Sequence, residues 1–181
     1  MEQVGYDTYC KLLEEVVKEM QGVQVEKEQD IQIDINISSF IPDDYIENSS
    51  QKIEVYQDIA ISKTEEDLKD IIDELIDRYG SLPEEVHNLI EVARIKQLCK
   101  KAKIVKVIQR KETVAFYVDT QKFNLELLDK ILKIYNNKIK FSPGKDTYIT
   151  LKLDSNSSSK VISEIMSFLK SLGGMYADNY Q

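Results

Sequence analysis

The sequence predicts an α+β fold in which a helical first half is packed with a mixed second half. Between residues 49 and 101, apolar residues recur at spacings of three and four in consecutive segments, which is the period of amphipathic helices. After residue 102, short runs of β-branched and aromatic residues alternate with helical segments in the order β-β-α-β-β-α. We therefore expect three consecutive helices after a strand, followed by a small antiparallel sheet with helices on one face.

The chain before these helices holds one predicted helix, one predicted strand and a turn. Residues 6–20 are amphipathic and predict a helix, while isoleucines alternate with polar residues over 31–37 and predict a strand with one buried face. Pro42 follows this strand, and its effect on the residue before it predicts a turn. We expect the apolar side chains of the turn, including Phe40 and Tyr45, to pin it to the core.

The clearest predicted helix runs from Thr64 to Gly80. Thr64 is a favoured N-cap residue, Asp67 is placed to complete a capping box, and a glycine suits the C-terminal end. The apolar stripe of this helix comprises Leu68, Ile71, Ile72, Leu75, Ile76 and Tyr79. Neighbouring helices are predicted at about residues 49–61 and 83–101. The first of these is expected to bury Ile53, Tyr56, Ile59 and Ala60.

Further elements are predicted after residue 102. They are strands at 104–108 and 113–118, a helix at 124–135, strands at 138–141 and 147–153, and a helix at 161–172. The segment from Ser142 to Asp146 carries turn residues between the last two strands. Gly173 and Gly174 are expected to stop the last helix, and the tail beyond them is expected to fray.

The composition is that of a globular protein: 181 residues, 42% of them hydrophobic and 31% charged, with a net charge of −8. No apolar run reaches the roughly 20 residues of a membrane span and no signal peptide is visible, so we expect a cytoplasmic protein without a membrane partner. The chain has two cysteines, Cys10 and Cys99, and one histidine, His87. This inventory argues against a zinc site and favours reduced thiols over a disulfide.

Motifs of nucleotide binding and hydrolysis are missing from the sequence. It contains no phosphate-binding loop, GxSxG, HExxH or CxxC, and Ser142–Asp146 fits a hairpin turn better than a phosphate loop. Paired carboxylates such as Asp43 and Asp44 are explained by helix starts and solvated surfaces. We therefore expect no catalytic residue, cofactor, metal ion or small-molecule substrate, and interpret the chain as a binding or regulatory module rather than an enzyme.

The side of the 64–80 helix opposite its apolar stripe is acidic. It carries Glu66, Asp70, Asp73 and Asp77. These four carboxylates fall within about 60° of one another on a helical wheel of about 100° per residue. Glu74 and Arg78 lie along one edge of the stripe and are spaced for an i,i+4 ion pair. Two interpretations stay open, a merely solvated surface or a docking surface for a basic partner.

A basic stretch at residues 94–111 supports an alternative function. It contains Arg94, Lys96, Lys100, Lys101, Lys103, Lys106, Arg110 and Lys111. Such a stretch is typical of a nucleic-acid-binding accessory module, in which it neutralises phosphates. Against this alternative stand the net negative charge of the chain and the lack of aromatic residues in the stretch on which bases would stack.

Two motifs resemble the C-terminal region of bacterial transcription-repair coupling factors, the Mfd family. They are SSFIPDDYI at residues 38–46 and ELIDRYGSLP at residues 74–83. The segments RIK at 94–96 and KKAKI at 100–104 fit the same pattern. The opening VGYDTYCKLLEE at 4–15 looks like the segment that leaves the translocase motor of this family.

The resemblance implies a domain of a multidomain, ATP-driven DNA translocase. Proteins of this family displace stalled RNA polymerase from damaged DNA and recruit the UvrA component of nucleotide excision repair. Their C-terminal domain packs on a UvrB-like N-terminal module and masks its UvrA-binding surface, an autoinhibited arrangement. ATP, magnesium and DNA belong to the parent motor, so the resemblance implies no cofactor for this segment.

The resemblance also implies which residues dock. In the family, charged residues of the ELIDR helix make the contact, and these fall here on Glu74, Asp77 and Arg78. The two carboxylates would meet arginines of the partner module, where bidentate pairing gives geometric specificity. Asp70 and Asp73 lie on the same acidic side and complete the predicted docking set.

The implied organisation has two parts. Residues 1–28 would be a helix and linker that leave the motor, and residues 29–181 would be the C-terminal regulatory domain. Within that domain we expect a helical subdomain at 42–102 and a mixed α/β subdomain at 103–175.

Overall fold

The structure is a computed structural model that describes the backbone of residues 30–178 and the side chains of residues 30–175. The predicted helix at 6–20, the linker after it and Cys10 lie outside the described residues. The end of the predicted tail, residues 179–181, also lies outside them.

Helices and strands form close to the predicted positions. The helices are α1 (Ser49–Ile61), α2 (Glu65–Tyr79), α3 (Glu84–Ala102), α4 (Glu126–Tyr135) and α5 (Ser158–Asp178). The strands are β1 (Gln32–Asp34), β2 (Ile104–Arg110), β3 (Thr113–Val118), β4 (Ile139–Ser142) and β5 (Tyr148–Lys152). The α+β class, the three consecutive helices after a strand and the later order β-β-α-β-β-α are confirmed. No helix in the described range is long and apolar enough to span a bilayer.

The described strands form a five-stranded sheet in the order β1-β2-β3-β5-β4. The pairs β2–β3, β3–β5 and β4–β5 are antiparallel, as predicted. The sheet is nevertheless mixed, because β1 pairs with β2 in parallel, with Ile33 opposite Val107. The alternating pattern at residues 31–37 predicted a covered face, but such a pattern carries no information about the direction of the partner strand.

The described residues divide into two compact units. Among the described residues, unit 1 comprises Asp30 and Ile37–Arg94, and unit 2 combines Ile31–Asn36 with the chain from Ile95 onward. Each unit has its own hydrophobic core. The subdomain boundary after residue 102 and the linker boundary at residue 28 stay predictions.

The core of unit 1 is built by its three helical segments and the turn before them. It contains Ile41, Ile46, Val55, Ile59, Leu68, Leu75, Val86, Leu89, Ile90 and Ala93. Ile41 and Ile46 are 4% and 1% exposed and hold the turn around Pro42 to this core. Phe40, which was expected to help, is 36% exposed, and only its backbone nitrogen bonds inward, to the carbonyl oxygen of Glu85.

The buried face of α1 matches the predicted one in part, since Ile59 is buried and Tyr56 packs against the core as expected. Val55 and Ile59 are buried, whereas Ile53 is 37% exposed. Ile53 and Ile59 are six positions apart, which places them about 120° from each other around a helix, so the two share no face. Ile76, at the edge of the α2 stripe, is similarly 48% exposed.

The core of unit 2 lies on one face of the sheet. The strands contribute Val107, Val114, Phe116, Ile149 and Leu151, and the helices contribute Leu127, Ile131, Ile165, Phe168 and Leu169, all of them buried. The rings of Phe116 on β3 and Phe168 on α5 lie with centroids 4.4 Å apart. The strand residues of the opposite face are partly or fully exposed, so helices cover the sheet on one side.

The last helix does not stop where the sequence predicts. α5 continues through Gly173 and Gly174 to Asp178, so the predicted glycine stop is wrong. Phe168, Leu169 and Leu172 are fully buried. Their packing outweighs the roughly 1 kcal/mol that a glycine costs inside a helix, because tertiary contacts override weak local propensity.

Candidate functional site

The start of α2 is fixed by a capping box. The backbone nitrogen of Asp67 donates to Thr64 Oγ1 at 3.1 Å, and Asp67 Oδ2 accepts from the backbone nitrogens of Thr64 and Lys63 at 3.0 and 2.9 Å. These hydrogen bonds lower the pKa of the Asp67 carboxyl, because they stabilise its ionised form. The capping box predicted from the sequence is therefore confirmed.

The end of α2 is fixed by a glycine. Gly80 adopts φ 87°, a left-handed value that glycine takes without steric cost, and its nitrogen donates to the carbonyl oxygen of Ile76 at 3.0 Å. The ring of Tyr45, from the turn before α1, packs against the ring of Tyr79 with centroids 5.7 Å apart. Both ends of the helix are thus held, and its outer surface is a rigid platform.

The structure places the predicted acidic side of α2 on its outer surface. Glu66, Asp70, Asp73 and Asp77 are all exposed. We call these four residues the acidic face. Within the described part of the chain, none of them has an ion pair or a side-chain hydrogen bond, so their charge is available to a partner.

Glu74 and Arg78 form the edge of this surface. Arg78 Nη1 lies 3.3 Å from Glu74 Oε1, which is the i,i+4 pair expected from the spacing. The guanidinium carbon of Arg78 is also 5.2 Å from the centroid of the Tyr79 ring. Both side chains keep about half of their surface exposed, so an approaching partner can exchange this pair for its own contacts.

A small depression lies between α1 and α2, next to this edge. Its lining residues are Glu54, Val55 and Asp58 from α1 and Ile71, Glu74, Leu75, Arg78 and Tyr79 from α2. Its cavity volume is about 40 Å³. The hydroxyl of Tyr79 is buried and has no hydrogen-bond partner among the described residues. A buried hydroxyl without a partner is uncommon, because desolvation is uncompensated there.

The electrostatics of the depression favour a cation. Burial raises the pKa of the Asp58 carboxyl, and the negative charges of Glu74 and Glu54 raise it further. A positive group placed among these three carboxylates would relieve their repulsion. The described residues hold no group of three metal-type ligands in position to bind an ion.

Sequence reasoning missed Glu54 and Asp58. They lie one turn apart on α1, and that i,i+4 spacing is a visible signal of a shared face. This spacing does not show which helix the face of Glu54 and Asp58 contacts. The buried side of α1 was also predicted only in part, so its contact with α2 was not predicted. Of the predicted docking residues, only Glu74 and Arg78 line the depression, whereas Asp70, Asp73 and Asp77 do not.

The basic stretch at 94–111 spans both units. Arg94 belongs to unit 1, where Nη2 lies 2.7 Å from Glu65 Oε1 and Nη1 pairs with Glu91. The Glu65 pairing raises the pKa of Arg94. The remaining members belong to unit 2 and are spread over α3, β2 and the turns beside β2.

Neither candidate for nucleophilic or acid–base chemistry lies in the depression. Cys99 is fully buried, and burial raises the pKa of its thiol far above the range in which a thiolate forms. His87 is exposed on α3. Neither Cys99 nor His87 is among the residues that line the depression.

Comparison with known proteins gives a consistent match. The family model described as the TRCF domain matches residues 35–126. The transcription-repair-coupling factor of Borreliella burgdorferi is 30% identical over 166 residues, which cover 91% of this chain and 15% of that protein. The factor of Staphylococcus haemolyticus is 40% identical over 98 residues, covering 53% of this chain and 8% of that protein. The chain thus spans at most 15% of the length of these two relatives.

A solved structure has the same fold. The crystal structure of the C-terminal domain of a transcription-repair coupling factor superposes with a TM-score of 0.74 at 20% sequence identity. The match covers 84% of this chain and 98% of the solved one. At this identity the likeness establishes the fold of the chain.

Proposed function

The chain belongs to the TRCF domain family, the C-terminal non-motor domain of transcription-repair coupling factors, and from this membership we propose that it is a non-catalytic docking module that holds its parent protein in an autoinhibited state. The parent would be an ATP-dependent DNA translocase of the cytoplasm that displaces stalled RNA polymerase and recruits UvrA. ATP and magnesium would bind only to its motor.

The docking partner that we propose is the UvrB-like N-terminal module of the same protein. The domain would cover the UvrA-binding surface of that module until the parent engages polymerase. The observation that carries this proposal is the acidic face, four exposed carboxylates without internal partners on a helix fixed at both ends. Carboxylates in such a position select a basic surface, and the rigid helix lowers the entropic cost of docking.

The depression adds a place for one specific side chain. A partner arginine that enters between α1 and α2 would meet Glu54, Asp58 and Glu74, all three of which line that space. Arginine is better suited than lysine, because its planar fork donates several hydrogen bonds at once. Glu74 and Glu54, whose negative charges add to burial in raising the pKa of Asp58, would also attract a positive group placed there.

The strength of such contacts suits a clamp that must open. An exposed ion pair contributes about 0.2–1 kcal/mol, so the acidic face and its edge together favour the closed state by only a few kcal/mol. A difference of that size is enough to move a two-state equilibrium strongly, yet a competing contact with polymerase can reverse it.

The test is UvrA binding by a full-length coupling factor that carries this domain. Removing Glu74 and Asp77 should open the protein and increase its apparent affinity for UvrA. Unchanged affinity would end the docking proposal, provided that the variant domain is folded.

A further inference from the structure

The face of the sheet opposite the helices carries an ordered row of side chains. The strand registers place Gln32, Lys106, Tyr117, Tyr148 and Ser142 directly opposite one another across all five strands. None of these residues is buried. The row is therefore a feature of the open face of unit 2 and is independent of the acidic face in unit 1.

The centre of this row is aromatic and cationic. The rings of Tyr117 and Tyr148 lie with centroids 5.1 Å apart at an interplanar angle of 34°. The ammonium nitrogen of Lys106 lies 5.2 Å from the centroid of the Tyr117 ring. The three side chains form a small platform with π-faces and a positive charge beside them.

Further cations surround the platform on the same face. By register, Lys140, Arg110 and Lys152 share the face of Tyr117, and Asp34 on the edge strand is the acidic residue among the paired positions of this face. Arg110, Lys140 and Lys152 are exposed. A strand of phosphates that crosses the sheet would thus meet four basic side chains and one acidic one.

The net charge of the whole chain does not show that unit 2 is positively charged. Unit 2 holds 16 lysines and arginines against 9 aspartates and glutamates, a net charge of +7. Residues 37–94 of unit 1 hold 5 against 15, a net charge of −10. The overall value of −8 therefore gives no argument against an anionic ligand on unit 2.

We propose that the open face of the unit 2 sheet binds single-stranded nucleic acid. Unpaired bases stack on Tyr117 and Tyr148, and Lys106, Arg110, Lys140 and Lys152 neutralise the adjoining phosphates. A duplex presents no unstacked base to the two rings, so the face selects single strands. β3 and β5 supply the aromatic residues that the 94–111 stretch lacks.

The test is fluorescence anisotropy of the purified chain with labelled oligothymidylate or oligouridylate of about 12 nucleotides, a length within the range that such platforms cover. We expect micromolar binding at about 50 mM salt and a steep loss at about 200 mM. Parallel DNA and RNA arms distinguish the two kinds of strand. No binding of either strand at low salt, or equal binding of a duplex of the same length, overturns the proposal.

Matched variants assign the binding to this face. Tyr148→Ala should weaken binding about five- to 150-fold, the change that corresponds to about 1–3 kcal/mol of stacking, while Tyr148→Phe should bind like the parent chain. Lys152→Gln should reduce the salt dependence, and Lys170→Gln, an exposed cation on α5, should have a smaller effect.

Two further measurements test whether the variants are folded and whether the partner is a nucleic acid or a protein. If Tyr148→Ala unfolds the chain, as circular dichroism would show, the contrast between Lys152→Gln and Lys170→Gln decides the question alone. Equal losses in these two variants would indicate unspecific charge and contradict the proposal. Displacement of the oligonucleotide by an acidic peptide at similar concentration would also contradict it, because the face would then be a protein-binding surface.

Discussion

The hydroxyl of Tyr45 donates a hydrogen bond to the carbonyl oxygen of Gly80 at 2.9 Å, with the carbonyl oxygen of Leu75 as a second acceptor at 3.2 Å. Gly80 follows the last residue of α2, so its carbonyl oxygen has no donor within the helix, and the phenol supplies one. It also ties the turn before α1 to the end of α2, next to Asp77 and Arg78.

The first prediction concerns this bond. Tyr45→Phe should lower the free energy of unfolding by about 1 kcal/mol, the net value of a typical hydrogen bond. Tyr79→Phe is the matched control, because the Tyr79 hydroxyl is buried without a partner in the described chain and its loss should be neutral or stabilising. Urea unfolding of both variants measures the difference. Equal destabilisation by the two substitutions would show that the Tyr45 hydroxyl has no special role.

The second prediction concerns docking. In a full-length coupling factor, Glu74→Ala combined with Asp77→Ala should raise the apparent affinity for UvrA severalfold to about tenfold, because the lost ion pairs favour the closed state by only a few kcal/mol. Asp44→Ala is the control, since Asp44 is an exposed acid of unit 1 outside α2. Surface plasmon resonance at low and high salt reads out the effect. A rise of similar size in the control would remove the assignment to α2.

The third prediction concerns Asp58 and pH. Its pKa is raised above the ordinary 3.8 in the folded chain, first by burial and then by Glu74 and Glu54. A group with a raised folded pKa contributes stability below its unfolded pKa and loses that contribution as the pH rises through the folded value. Asp58→Asn should therefore stabilise the chain at pH 7 and leave it unchanged near pH 3. Urea unfolding curves at pH 7 and near pH 3 measure the difference. An equal gain in the free energy of unfolding at both pH values would contradict the electrostatic cause.

The fourth prediction concerns the hairpin between β2 and β3. Arg110 pairs with Thr113, so Lys111 and Glu112 form a two-residue connection, and Lys111 has φ 55°. A left-handed conformation costs an ordinary residue roughly 1 kcal/mol, while glycine adopts it freely. Lys111→Gly should raise the melting temperature by a few degrees, and Glu112→Gly should not. A lower melting temperature for Lys111→Gly would contradict the strain.

Local signals predicted the parts of the fold that depend on local chemistry. The capping box at Thr64 and Asp67 formed as expected, because its hydrogen bonds join residues only three positions apart. The strand at Thr113–Val118 has the predicted bounds, since its β-branched and aromatic residues fit a half-buried pleated surface. The Glu74–Arg78 pair follows from helical spacing alone.

The features that the sequence did not predict depend on contacts between segments that are distant in the chain. The depression joins Glu54 and Asp58 on α1 to Glu74 on α2, and no pattern within one helix reveals that meeting. Tyr117 and Tyr148 become neighbours only through the pairing of β3 with β5. Gly173 and Gly174 look like a stop in sequence, but burial of Leu172 and its neighbours keeps the helix intact.

The parallel pairing of β1 with β2 has a consequence for the order of folding. The ladder joins only Gln32–Asp34 to residues 106–108, and it closes a loop of about 70 residues, whose entropic cost grows with its length. The hairpin of β2 and β3 closes a loop of only two residues, so its entropic cost is much smaller. β1 should therefore attach late in folding and detach first, and amide hydrogen exchange should proceed fastest at this edge of the sheet.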